Sequence, residues 1–193
     1  EIDEGFRADS GLMPQVGMRN YMAALNRTFR SDSSWWNSFT LATGMGRFEK
    51  IDGELINQFL DLGIFYSGTR QSNAAIFLRK ESERYLGIEY DMVSSMGMFS
   101  IKPTNNIRLS LDYNVGNRID YANGRKGNRV RTDSSITWSL NKNIQTSYDL
   151  TFETMDVEEN QLYTAFIHQF SARYQFNTRL FLRTLFQYVD NSY

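Results

Sequence analysis

The chain has 193 residues, with 21 Lys and Arg against 22 Asp and Glu, so it lacks the basic excess of a nucleic-acid-binding protein. The absence of Cys excludes disulfides, thiolate metal sites and a cysteine nucleophile. The longest apolar stretches fall well short of the roughly 18 residues that a membrane-spanning helix needs, whereas abundant aromatic residues and only two prolines favour long β-strands.

Alternation of apolar and polar residues predicts ten β-strands along the chain. The alternation is clearest in the sixth predicted strand, where Leu109, Leu111 and Tyr113 alternate with polar residues. In the fourth and fifth, Phe77 and Met96 interrupt the pattern, so their faces are left unassigned. The ten predicted strands are 16–29, 38–48, 55–66, 74–80, 93–101, 107–115, 130–140, 144–153, 162–176 and 180–188.

The predicted connections alternate between short and long. Short ones fall at 30–34, 67–73, 102–106, 141–143 and 177–179, and longer or more charged ones at 49–54, 81–91, 116–129 and 154–161. Short turns at one end and long loops at the other are the layout of outer-membrane barrels, whose tilted strands need about 9 to 11 residues. We therefore predict an all-β, antiparallel up-and-down transmembrane β-barrel region of about ten strands over residues 1–193. The alternative is a soluble barrel or sandwich with its apolar face turned inward.

Aromatic residues near the strand ends predict two girdles at the membrane interfaces. Those beside short turns are Trp35, Trp36, Tyr66, Trp138 and Phe176, together with Phe29. Those at the other end are Phe152, Tyr188 and Phe48.

The polar positions of the later strands carry charges of both signs, which we predict to line the lumen. These residues are Arg108, Asp112, Arg131, Asp133, Asp149, Glu153, Arg173 and Arg183. They could line an aqueous pore and tune its selectivity. They could also pair across neighbouring strands and stabilise the register, which the absence of an excess of one sign favours.

The predicted loops carry weaker signals. The basic loop 116–129 could bind lipopolysaccharide phosphates or a protein partner, or simply be solvated. The acidic stretches 81–84 and 156–160 lack the spacing of a calcium loop. His168, the one histidine, shares a predicted lipid-facing side with Phe166 and Phe170, which favours a tolerated interfacial residue over a catalytic one.

The stretch 163–188, and especially YQFNTRLFLRTLFQY at 174–188, resembles the barrel of a bacterial outer-membrane family whose members begin with a domain similar to carbohydrate-binding family nine. GLMPQVGMRNYMAALNRTFR at 11–30 and GNRIDYANG at 116–124 support the resemblance. It implies a Gram-negative outer-membrane location and a larger parent barrel preceded by a sugar-binding-like domain. That domain does not lie in these residues, so no carbohydrate role is carried onto any of them.

From these features we expect a porin-like barrel for passage of solutes across the outer membrane, with a carbohydrate link only through the resemblance. The alternative is a structural barrel subunit that anchors or scaffolds a larger envelope complex. The expected partners are membrane lipid, lipopolysaccharide and other envelope proteins, with no nucleic acid. We expect no enzyme activity, cofactor or metal site.

Overall fold

The computed structural model describes residues 17–32, 35–158 and 160–192, which form one antiparallel sheet. Its ten strands follow chain order and each pairs with the next, so the predicted all-β, up-and-down fold is confirmed. In the described residues, no helix is long and apolar enough to cross a membrane. The strands are β1 Met18–Arg30, β2 Trp36–Lys50, β3 Leu55–Gly68, β4 Asn73–Tyr85, β5 Ile88–Thr104, β6 Ile107–Asp120, β7 Arg125–Ser139, β8 Ile144–Val157, β9 Asn160–Gln175 and β10 Phe181–Ser192.

The predicted long loops at 81–91, 116–129 and 154–161 are wrong, because most of their residues belong to strands. In the first, only Leu86 and Gly87 lie outside β4 and β5, and both have a positive φ. Charged residues suggested loops, yet beyond an apolar band a strand can carry polar side chains on both faces while its backbone ladder continues. The contrast between short turns and long loops is therefore absent from the described chain.

Strand register gives the sheet two faces, because directly paired residues project to the same side. The apolar face is represented on successive strands by Leu25, Leu41, Leu62, Leu78, Val93, Leu111, Ile136, Leu150, Phe170 and Phe186. The opposite side, here called the charged face, includes Asp61, Arg79, Asp112, Asp133, Asp149, Arg173 and Arg183.

Nothing in the described part of the chain covers the apolar face. Leu25 is 72% exposed, Val93 57% and Phe186 64%. No second sheet packs there, as a sandwich would require. Exposed apolar surfaces of this extent are typical of sites that bind a protein or a membrane.

The two ends of the sheet differ in how their hairpins pack. At the end where β4 joins β5 and β6 joins β7, here called the hairpin end, Tyr90, Met92 and Ile119 form a small buried cluster with Tyr85 against it. Tyr85 Oη also donates to the carbonyl of Tyr121 at 2.9 Å. The β4–β5 and β6–β7 hairpins thus support each other. The opposite end, where odd-numbered strands join the next strand, is here called the turn end.

The sheet is open in the described chain. β1 pairs with β2 alone and β10 with β9 alone, and no pairing joins β1 to β10. Both edge strands therefore carry backbone groups on one side that have no partner strand.

Candidate functional site: the charged face

The eight residues predicted to line a lumen all lie on the charged face. Within each strand, residues two apart project to the same side of the sheet. The register between strands brings these sides together on one face. The register pairs that establish it are Arg108 with Thr137, Asp112 with Asp133, Arg131 with Glu153, Ser135 with Asp149, and Arg173 with Arg183. Whether this face surrounds a lumen stays a prediction.

Three of the eight belong to one ion-pair cluster on β7 and β8. Arg131 places Nε 2.8 Å from Asp133 Oδ2 and Nη1 3.1 Å from Glu153 Oε2. Arg129 Nε lies 3.4 Å from the other oxygen of Glu153, which also accepts a 2.5 Å hydrogen bond from Tyr163 Oη. Two guanidinium groups thus face two carboxylates, so the charges of this cluster balance.

A cavity of about 400 Å³ lies beside the ion-pair cluster and is lined by Arg131, Glu153, Tyr163 and Thr151. Thr151 Oγ1 donates to Asp133 Oδ1 at 2.6 Å. Because the charged groups facing this cavity already bind one another, it is poorly suited to capture a charged ligand.

The other predicted residues are not ion-paired in the described structure. Asp149 accepts a hydrogen bond from Ser147 Oγ at 3.2 Å, and Arg108 Nη2 donates to a glutamine at 3.3 Å. Asp112 lies directly opposite Asp133, so two carboxylates share one rung of the ladder. Arg173 and Arg183 likewise oppose each other. The structure therefore divides the eight residues into paired and unpaired groups.

Sequence reasoning missed a paired charge on β3 and β4. Arg79 donates from Nε and Nη2 to the two oxygens of Asp61, both at 2.7 Å, and its Cζ lies 4.6 Å from the ring centroid of Phe59. The pair was missed because the faces of residues 74–80 were unassigned. The sequence did contain a signal. Asp61 and Arg79 lie the same number of residues before and after Arg70, so a hairpin that turns at Arg70 places them opposite each other.

Around that pair, the charged face of β2–β5 is built of small and aromatic residues. We call it the glycine–aromatic region. A Cβ on Gly46 would lie 2.5 Å from the Phe59 ring, and one on Gly63 would lie 2.6 Å from the Phe77 ring, so these rings rest over glycines of the neighbouring strand. The region comprises Ala42, Gly44, Gly46, Phe59, Gly63, Phe65, Ala75, Phe77, Met96 and Met98, with the Asp61–Arg79 pair.

The charged face of β6–β10 has a different composition, and we call it the hydroxyl–charge region. It comprises the eight predicted residues, together with Ser110, Asn114, Ser135, Thr137, Gln145, Ser147, Thr151, Gln169, Ser171 and Gln187. Ser147 and Ser171 hydroxyls lie 2.8 Å apart across β8 and β9.

Aromatic residues cluster at the turn end near β2 and β3. The Trp35 and Tyr66 rings stack at 6.4 Å, and Tyr66 Oη donates to the Trp35 carbonyl at 2.6 Å. The Trp36 and Phe39 rings lie 5.1 Å apart. Of the other predicted girdle residues, Trp138 and Phe176 are exposed near this end, Phe152 packs on Phe166 at 4.9 Å, and Tyr188 lies 6.0 Å from His168. Their contact with a membrane interface stays a prediction.

His168 lies on the apolar face, in register with Leu150 and Tyr188. Its Nδ1 is 2.7 Å from Tyr148 Oη, and its ring stacks on Phe166 at 6.3 Å. In the described residues, the contacts of His168 are thus a tyrosine hydroxyl and aromatic rings.

The predicted basic loop 116–129 is the β6–β7 hairpin, and three of its cations bind groups of the chain. Asp120 accepts hydrogen bonds from Asn123 Nδ2 at 2.8 Å and Arg125 Nε at 3.0 Å, which together hold the pKa of this carboxyl below its usual range. Lys126 Nζ donates to the carbonyl of Asp91 at 3.1 Å. Arg125 and Lys126, which the sequence offered as cations for binding a partner, instead contact groups of this chain. Arg129 does so too, as a member of the ion-pair cluster.

The same hairpin contains Tyr121, which is partly exposed and contacts residues of β4. Burial raises the pKa of Tyr121 to about 12, and the hydrogen bond from its Oη to Glu83 Oε1 at 2.9 Å acts in the same direction. The Tyr85 and Tyr121 rings meet edge to face at 5.0 Å.

Of the two acidic stretches, residues 81–84 lie within β4 and not in a loop. The stretch 156–160 does span a strand connection, with Asp156 near the end of β8 and Glu158 in the turn before β9. In the described residues, no group of three or more His, Asp or Glu side chains is placed to hold a metal ion.

A scan against protein-family models finds no match, and a search of curated proteins finds no similar chain. The family resemblance therefore stays a prediction.

Proposed function

We propose that this chain forms part of the wall of an outer-membrane β-barrel, and that its charged face lines a path by which solutes cross the membrane. The observation that carries the proposal is the uncovered apolar face opposite a charged one. In hydrocarbon, strands can satisfy their backbone groups only within a closed sheet.

The apolar band has suitable dimensions for this role. On β6 it extends from Ile107 to Val115, about nine residues and so about 30 Å along the strand. At the usual tilt of about 40° this corresponds to a band roughly 25 Å tall, as in outer-membrane barrels. The open edges at β1 and β10 suit a wall with further strands, in agreement with the larger parent barrel that the resemblance implies.

Planar-bilayer recording with the intact natural protein tests the proposed passage. We expect stepwise ionic conductance after the detergent-purified protein is added to the bilayer. A protein that inserts into the bilayer and passes no ions would contradict the passage of solutes.

A pair of neighbouring substitutions tests which face meets lipid. Leu111→Arg, in the middle of the apolar band, should cost about 2 to 4 kcal/mol of stability in lipid vesicles and impair insertion. The control is Ser110→Arg on the charged face, which we expect to insert normally. Equal behaviour of the two variants in flotation and heat-modifiability assays would refute the assignment of the apolar face to lipid.

The ion-pair cluster favours a second candidate function. Its four charges bind one another, which strengthens the wall without contributing to transport. A barrel built to scaffold an envelope complex would have such pairing throughout its interior. Insertion without conductance, together with co-purification of a stoichiometric envelope protein, would support this alternative.

A further inference from the structure

Two arginines of the hydroxyl–charge region oppose each other without a carboxylate partner. Arg173 on β9 pairs in register with Arg183 on β10. In the described residues, neither forms an ion pair. The contacts of Arg173 are a 3.3 Å hydrogen bond from Nη2 to Gln175 Oε1 and a position 4.7 Å from the Phe181 ring centroid. Directly opposed like charges destabilise a sheet, so this arrangement has a cost.

The two arginines line a cavity of about 360 Å³ with neutral hydrogen-bonding side chains. Gln145, Ser147 and Ser171 contribute to its wall. Asp149, on β8 with Gln145 and Ser147, does not line this cavity and accepts a hydrogen bond from Ser147 Oγ. The cavity therefore contains two cations and several donors but no anion.

The turn end around this cavity is strongly cationic. Within the turn-end connections and four residues on either side, the described chain has one acidic residue, Asp32. The cations in the same segments are Arg27, Arg30, Arg70, Lys102, Arg108, Lys142, Arg173, Arg179 and Arg183. Since the whole chain has a net charge of −1, the charge is separated along the strands, and the turn end attracts anions.

We propose that the Arg173–Arg183 cavity is a binding site for oxyanionic solutes, with phosphate or carboxylate as the group recognised. The proposal rests on the passage of solutes proposed above and specifies their chemical class. Guanidinium groups bind phosphate and carboxylate oxygens through two parallel hydrogen bonds, and a bound anion would relieve the repulsion between the two arginines. The nearby hydroxyl and amide groups supply further donors.

Titration calorimetry with inorganic phosphate tests this site in the intact protein in zwitterionic detergent. We expect saturable binding that weakens with added salt. The double variant Arg173→Gln/Arg183→Gln should bind phosphate at least about tenfold more weakly, because it loses charge-assisted hydrogen bonds. The matched control is Arg30→Gln/Arg70→Gln, which removes the same charge from the same end but far from β8–β10 and should bind normally.

A single reversal of charge separates binding from folding. Arg183→Glu converts the repulsive pair into an attractive one, so this variant should resist urea better than the natural protein while losing phosphate binding. Arg183→Lys keeps the charge without the planar fork and should bind with intermediate affinity.

The possible results of these experiments separate a failure of the anion site from a failure of the proposed solute passage. Absence of phosphate binding, or equal weakening in both double variants, would overturn the site even if the protein conducts ions. Phosphate binding that depends on Arg173 and Arg183, without conductance, would leave the site intact and overturn solute passage. Competition by added phosphatidylglycerol would identify a lipid headgroup as the anion and also overturn a solute site.

Discussion

The two regions of the charged face differ in composition and in the contacts that hold their side chains. In the glycine–aromatic region, rings lie over glycines of the next strand, and the one charged pair is bidentate and half-buried. In the hydroxyl–charge region, the side chains are short and polar or charged, and several of the charges have no ion-pair partner in the described residues. Ring-on-glycine contacts thus stabilise the first region, whereas like charges oppose each other in the second, at a cost in stability.

Replacing a glycine with a larger residue should give the largest difference in stability between variants of the two regions. Gly63→Val would drive a side chain into the Phe77 ring, which already packs edge to face on Phe65 at 4.9 Å. We expect a loss of about 1 to 3 kcal/mol in the free energy of unfolding, measured by urea titration in lipid vesicles.

The control for this substitution is Ser135→Val in the hydroxyl–charge region, which should change stability by less than about 0.5 kcal/mol. The addition of Phe77→Ala to Gly63→Val should recover part of the loss, because the clash is removed. Equal losses at Gly63 and Ser135 would mean that the two regions do not differ in packing.

Removal of one acidic charge should separate the regions by a smaller amount. Asp61→Asn breaks a bidentate ion pair and leaves the Arg79 guanidinium without its counterion, at a cost of about 1 to 2 kcal/mol. Asp112→Asn removes a carboxylate that faces Asp133 and should leave stability unchanged or slightly higher. Urea titration of both variants measures the contrast, and a destabilised Asp112→Asn protein would contradict it.

The smallest expected effect lies where the regions meet, at the hairpin end. Because the folded chain lowers the pKa of Asp120 from 3.8, its contribution to stability is present above that value and is lost as the pH falls through the folded pKa. Asp120→Asn lacks this dependence. Between about pH 6 and pH 3, the natural protein should therefore lose more stability than the variant. Parallel losses in urea titrations would show that Asp120 does not stabilise the hairpin.

Sequence pattern predicted most of the fold and part of the site. Each of the ten predicted strands overlaps one strand of the structure, and in β6–β10 the alternation brought eight charged residues to one face. It could not predict that Arg131 pairs with Glu153 on β8, or that Arg173 has no ion-pair partner in the described residues, because pairs between strands depend on register. The predicted strands end too early at the hairpin end, because the polar residues beyond the apolar band do not alternate with apolar ones. Phe77 and Met96 place apolar side chains on the charged face as well, so β4 and β5 show no clear alternation and their faces could not be assigned.

The open edges of β1 and β10 also have a kinetic consequence. Neighbouring strands of this sheet meet across short turns, so nine of its pairings are local and can form quickly. A closed up-and-down barrel needs one pairing between strands far apart in the chain, and that pairing must wait for a larger loop to close. If the chain forms the proposed barrel wall, this closing pairing should be the slow phase of refolding in lipid vesicles.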